Sequence, residues 1–327
     1  MEFKFGSSIL FSNMGYVFKV LVWILLCVLL VSGIAAAIFV PIFNVITEQT
    51  DILHFVDGIK DSFNQFIDAE IGIKTLVESV SQDIGGAIQD VTSHTGGIVG
   101  IVFAAIFIYL LYCFLSGLSH YPMADIINNL MSSNLRFGFA SNMALNFKKA
   151  VKFSGARLLI TFPVDLLIIL FMVGVGYGLF QAINLFALPI MLVFWIVFCS
   201  GRSILLSGWL PRLLYFPKEQ IFTAFSRSFV YIKRNYKGLI KSYILIYTLS
   251  YLSIATFLLP SFGLIALLVP SIYYFLLRTI ELISFYKIKG YCFYTDASTV
   301  IDTVEFGYRQ DNQSADDIEG EDAKEIK

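Results

Sequence analysis

Six stretches of the chain are apolar around their whole circumference, at 17–43, 98–118, 157–180, 185–209, 239–259 and 263–285. Each is as long as the about 20 residues a helix needs to cross the hydrocarbon core. The pattern predicts an all-α polytopic membrane protein, with six transmembrane helices arranged in hairpins. Only Gln181 to Asn184 separates the third and fourth runs, and Pro260 to Phe262 the fifth and sixth, so both pairs must turn back on themselves. Pro41, Pro163, Pro189 and Pro270 lie in or near the runs, where a lipid-embedded helix can kink without unfolding. The first run reaches Phe43, too long for the roughly 7–15-residue apolar core of a signal peptide, and reads as a retained span.

A second pattern lies between the runs. In 44–97, apolar residues recur at threes and fours through Val56, Ile59, Phe63, Phe66, Ile73, Val77, Val80 and Ile84, which marks amphipathic helix. Gly72 is the natural break, so the segment is expected to form a helical hairpin. It either covers the outer face of the bundle or docks another envelope protein. Two further amphipathic stretches, Phe137 to Val151 and Ile221 to Tyr236, each precede a hairpin of spans. The expected organisation is an N-terminus with span one (1–43), an outer segment (44–97), span two (98–118), two units at 119–209 and 210–290, and a tail (291–327).

Composition agrees and charge adds a direction. Hydrophobic residues make up 57% of the chain and charged residues 14%, with a mean hydropathy of +0.76, which excludes an ordinary soluble fold. The formal charge of −1 gives no bulk attraction to nucleic acid. Locally the charges segregate. Arg136, Lys148, Lys149, Lys152 and Arg157 follow span two, seven basic residues lie in 210–241, and only Lys60 and Lys74 lie in the acidic segment 44–97. By the positive-inside rule the basic loops are cytoplasmic, and both termini with them, in the plasma membrane. Beyond Tyr294 the chain turns acidic and is expected to be disordered from about Asp311.

The basic clusters Lys148-Lys149-x-x-Lys152 and Lys233-Arg234-x-x-Lys237 share a spacing, and each ends an amphipathic stretch. The second helix of each following hairpin carries a matching string, Arg202-Ser203-Ile204 and Arg278-Thr279-Ile280. This suggests a parallel internal repeat, with spans one and two as a third, diverged hairpin, since Leu115-Ser116-Gly117-Leu118 echoes Leu206-Ser207-Gly208-Trp209. The clustered Lys and Arg are candidate contacts for anionic lipid head groups.

Arg202-Ser203-Ile204, Ser207-Gly208-Trp209-Leu210-Pro211, Phe216-Pro217-Lys218 and Pro163-Val164-Asp165 give the chain, over about residues 100–295, a likeness of its own. It resembles uncharacterised six-span membrane proteins of low-GC Gram-positive bacteria. More distantly, it is similar to the membrane domains appended to some glycerophosphodiesterases. The resemblance implies a bacterial membrane protein and brings no activity with it, because the phosphodiesterase acid and histidine motifs are absent.

Four charges lie within spans: Asp165, Arg202, Arg278 and Glu281. At about 1.5 Å of rise per residue, all four sit roughly 6–12 Å from the basic ends of their helices. A charge at the centre of a span costs about 2.5–3.5 kcal/mol on insertion scales, so these should face the interior and pair. They form either an ion-pair layer tying the helices together or a polar cavity open to the cytoplasm. A proton relay is a third use. Gly174-x-x-x-Gly178 is expected to be a helix-packing contact, and Cys27, Cys113, Cys199 and Cys292 read as isolated thiols packed in apolar surroundings.

His54, His94 and His120 belong to no HExxH, GxSxG, phosphate-loop or paired-cysteine pattern, so no catalytic residue, metal or cofactor is expected. His120, at the end of span two, reads as interfacial. The expected function is that of a non-enzymatic envelope scaffold or accessory subunit. The alternative is a carrier or flippase for an anionic solute or lipid, working through the intramembrane charges.

Overall fold

The computed structural model describes residues 2–49, 95–183, 187–258, 264–296 and 299–302, with isolated positions between 58 and 79. Most of the expected outer hairpin, and the tail expected to be disordered, lie outside the described residues. The protein is all-α, with six helices long and apolar enough to cross a membrane. It divides into two compact units, residues 26–113 and the remainder.

In the smaller unit the described parts belong to helices α2 (Met14–Gln49) and α3 (Thr95–Gly117), both of which continue into the larger unit. Leu29, Val40, Phe103 and Phe107 are exposed there, as befits residues facing lipid.

The larger unit holds α1 (Glu2–Ser12), α4 (His120–Ser133), α5 (Phe139–Leu145), α6 (Phe147–Ile183) and α7 (Ala187–Ser207). It continues with α8 (Trp209–Tyr215), α9 (Ile221–Arg234), α10 (Tyr236–Leu258) and α11 (Leu264–Lys289). A two-residue hairpin of β1 (Phe293–Tyr294) and β2 (Val300–Ile301) follows, pairing Phe293 with Ile301.

The sixth span, α11, is the enclosed one. Of its most apolar stretch 67% is buried, against at most 22% in any other span. The reason is in its sequence: Arg278, Thr279 and Glu281 are costly in lipid and are held inside instead. Helices α1, α4 and α10 pack on it. Ile9, Met123, Ile127, Ile246, Phe275 and Ile280 close the resulting core.

The stretch after span two departs from expectation. Ahead of the amphipathic stretch expected from Phe137, α4 forms and buries His120, Tyr121, Met123, Ile126, Ile127 and Met131. It is amphipathic, but its apolar face meets protein rather than lipid. It ends at Asn134, whose φ of 53° puts it in the left-handed conformation while its N–H returns to the Leu130 carbonyl.

Three junctions share one build. Asn13, Asn146 and Asn235 each end a short helix one residue before a long one begins, at Met14, Phe147 and Tyr236. In each long helix the fourth and seventh residues after the asparagine are buried: Val17 and Val20, Ala150 and Phe153, Leu239 and Ser242. The sixth is an exposed lysine each time, Lys19, Lys152 and Lys241. Asparagine suits the position because its backbone carbonyl opens the next helix while its amide serves other acceptors.

These junctions correct the placing of the basic clusters. Lys148, Lys149 and Lys152 do not end an amphipathic helix but ride on the first turns of α6, whereas Lys233 and Arg234 close α9 before its break. The position matching Lys148 is Lys237, one helical turn on from the register that the charges suggest. Two other expectations fail locally. A Cβ at Gly174 or Gly178 would meet nothing within 4 Å, whereas one at Gly176 would lie 2.9 Å from Met191 Cε. Among the four free cysteines only Cys27 is buried, and Cys292 is exposed.

Candidate functional site

The four intramembrane charges make two pairs rather than one layer. Arg202 on α7 grips Asp165 on α6, with Nε 2.6 Å from Oδ1 and Nη2 2.8 Å from Oδ2. Nη2 donates the hydrogen bond of the pair, and the Nε contact adds close opposite charge without hydrogen-bond alignment. The pair fastens the two helices of one hairpin and remains partly exposed on its arginine side. Arg278 and Glu281 pair one turn apart on α11, at 8% and 3% exposure. Glu281 also accepts the Tyr243 hydroxyl from α10 at 3.3 Å.

Two residues join them that sequence reasoning placed elsewhere. His120 is not interfacial: it is 5% exposed, its Nε2 bonds to the Arg157 guanidinium, and its ring lies 4.9 Å from that of Tyr274. Arg157 is not a loop residue, because α6 begins ten residues before it. Arg157, Arg202 and Arg278 all act electrostatically on His120, and Arg157 acts on Glu281 together with Arg278. Tyr274 completes the group, with its hydroxyl 3.0 Å from Ser119 Oγ and its ring 5.9 Å from the Arg278 guanidinium.

The cluster carries more cation than anion. Three guanidiniums face two carboxylates, and the hydrogen bond of the third, Arg157, goes to an imidazole. Five buried polar atoms have no hydrogen-bond partner among the described residues: Trp23 Nε1, His120 Nδ1, Arg202 Nε, Ser271 Oγ and Arg278 Nε. Leaving such an atom unpaired in an apolar interior costs about 1–3 kcal/mol. Ser271 and Arg278 lie two turns apart on one face of α11. A small crevice with room for about one water molecule is lined by Gly208, Tyr231, Ile288 and Glu281 among others. Donors around a surplus positive charge can hold an oxyanion; they offer no nucleophile poised beside a base.

The other candidate residues stay apart from this cluster. Lys148, Lys149, Lys152, Lys233, Arg234 and Lys237 are all exposed, and Lys149 lies over the Tyr121 ring at 5.7 Å. Near them Leu145, Phe147, Phe222 and Phe229 are exposed too, so apolar and basic groups share one surface. Among the described residues no three His, Cys, Asp or Glu side chains converge as metal ligands.

No protein-family model, curated protein or solved structure matches this chain. Its chemistry has to be argued from the cluster itself.

Proposed function

We propose that the chain is a non-enzymatic, multi-pass protein of the bacterial cytoplasmic membrane that binds and carries an anionic solute or lipid head group. The observation that carries this reading is the unbalanced cluster: Arg157, Arg202 and Arg278 against Asp165 and Glu281, with donors left over. An oxyanion would restore the balance and accept from the donors left at Arg157 and Arg278. The exposed lysines, placed inside by the positive-inside rule, put the cluster in the cytoplasmic half with both termini cytoplasmic. They would also gather anionic lipid near its mouth. The three asparagine junctions fit descent from a repeated hairpin unit.

The second reading, an envelope scaffold or accessory subunit, is favoured by the self-contained Arg202–Asp165 pair, which needs no ligand to join two spans. A protein partner would then meet the segment 44–97.

Native mass spectrometry in nanodiscs containing phosphatidylglycerol separates the two. The carrier reading expects a retained anionic lipid or small anion that disappears in Arg157→Gln at unchanged Tm. A Tm that falls while the bound species stays the same would favour the scaffold.

A further inference from the structure

The fifth span carries a feature that the charge cluster does not need. Tyr243, Tyr247 and Tyr251 stand four residues apart on α10, so their hydroxyls form one stripe along the helix. Each meets a polar group on another span. Tyr243 donates to Glu281 on α11 at 3.3 Å, Tyr247 lies 2.6 Å from Ser203 Oγ on α7, and Tyr251 accepts from Trp195 Nε1 on α7 at 2.5 Å. The rings of Tyr247 and Tyr251 stack at 6.5 Å. Ser253 and Tyr273, 3.4 Å apart, carry polar contacts further along. The stripe begins inside the cluster and climbs roughly 12 Å along the helix. On the other side of α10, Ile244, Leu245 and Leu252 are exposed and apolar. The polar groups therefore line the seam between α7, α10 and α11, and the lipid-facing surface stays clean.

We propose that Tyr243, Tyr247 and Tyr251 line the route along which a phosphate-type oxyanion leaves the charge cluster for the opposite half of the membrane. This rests on the carrier reading. A hydroxyl both donates and accepts, so it can exchange its protein partner for a passing anion oxygen and then take it back. Movement also requires each stop to bind weakly. A stripe of lysines would trap the anion, whereas neutral hydroxyls in sequence hand it on. Ser271, with its buried unpartnered hydroxyl two turns from Arg278, supplies a further stop on α11. The oxyanion is the head group of an anionic phospholipid or a free phosphate.

The test uses the full chain in phosphatidylcholine vesicles. One set carries tail-labelled fluorescent phosphatidylglycerol, read by the fraction that externally added dithionite bleaches; the other is assayed for uptake of labelled inorganic phosphate. Wild-type protein moves one of these probes, and which one moves identifies the source of the oxyanion. Tyr247→Phe with Tyr251→Phe removes two hydroxyls and keeps the rings. Flux should fall about tenfold, the effect of one lost hydrogen bond at a barrier, while retention of anionic lipid stays at its wild-type value. Should the double variant lose Tm, Ser203→Ala takes away the partner of Tyr247 alone and must show the same loss of flux. Wild-type flux in a folded variant overturns the route and leaves the carrier reading standing. A wild-type protein that moves neither probe overturns both.

Discussion

The carboxylate of Glu2 accepts a hydrogen bond from Asn235 Nδ2 at 2.7 Å, joining the first helix to the junction before the fifth span. Lys287 Nζ lies 3.2 Å from the same oxygen, and Ser242 Oγ is 3.4 Å from the other. Asn235 also donates to Ser284 Oγ at 2.7 Å, so one amide binds α1, α10 and α11 together. The approach depends on Gly238, since a Cβ there would lie 2.9 Å from the Glu2 carboxylate and 2.7 Å from Asn235 Oδ1. Four residues along α1, Gly6 fits against Leu276 and Ile280, where a Cβ would come within 3.1 Å of both. Helix α1 is therefore part of the core of the larger unit.

Glu2→Ala should lower stability by about 1–3 kcal/mol, because it removes the acceptor that Asn235, Ser242 and Lys287 share. Gly238→Ala should act in the same direction by pushing the carboxylate out of place. Thermal unfolding in detergent micelles checks both. Wild-type Tm values in the two variants would mean that α1 contributes nothing to the fold.

Arg202 and Asp165 should behave as a coupled pair. Removing either alone leaves a charge unpaired at membrane depth, so the double alanine variant should lose less stability than the two single variants lose in sum. The expected coupling is about 1–3 kcal/mol, read from a double-mutant cycle of Tm or chemical denaturation. Additive effects would show that the pair contributes little.

Trp209 is the most enclosed large side chain at the basic end of the protein. It is fully buried between Phe153 and Phe225, with centroids 5.0 and 4.8 Å away, and donates Nε1 to the Ile221 carbonyl at 2.8 Å. Trp209→Ala should cost about 3–5 kcal/mol. Gly208→Ala should also destabilise, since its Cβ would lie 2.9 Å from the Ser228 carbonyl oxygen. Melting curves and expression yield report both, and Trp209→Phe should fall between wild type and alanine.

The spans could be read from sequence because lipid imposes one rule on the whole circumference of a helix, and 98–118 obeys it without interruption. Where protein replaces lipid as the neighbour, that signal disappears. Helix α4 shows the cost: Asp125, Asn128 and Asn129 interrupt the apolar pattern of 120–133, yet Asp125 receives Asn142 at 2.9 Å and Asn128 receives the Tyr286 hydroxyl at 3.0 Å. His120 reads as interfacial because Pro122 follows at the end of an apolar run, and its partner Arg157 is 37 residues away. The pairing of Arg202 with Asp165 and of Arg278 with Glu281 follows from the cost of bare charge in a membrane. Which acid takes which arginine does not, because all four have similar depths. Spacing of charges alone also fits two registers of the basic clusters, and only the helix breaks at Asn146 and Asn235 choose between them.

The exposed lysines separate from the buried cluster in how they respond to salt. Replacing Lys148, Lys149 and Lys152 by glutamine removes three surface charges, each contributing about 1 kcal/mol of attraction to an anionic bilayer. Enrichment of phosphatidylglycerol around the protein, measured by lipid extraction from mixed nanodiscs, should fall in this variant with Tm unchanged. In the wild-type protein the same enrichment should weaken between low salt and about 1 M, where screening reaches only about 3 Å. Anion held at Arg157 and Arg278 should resist that change, since buried charges are screened far less. Equal salt sensitivity of both populations would place the retained anion on the surface and remove the case for an internal site.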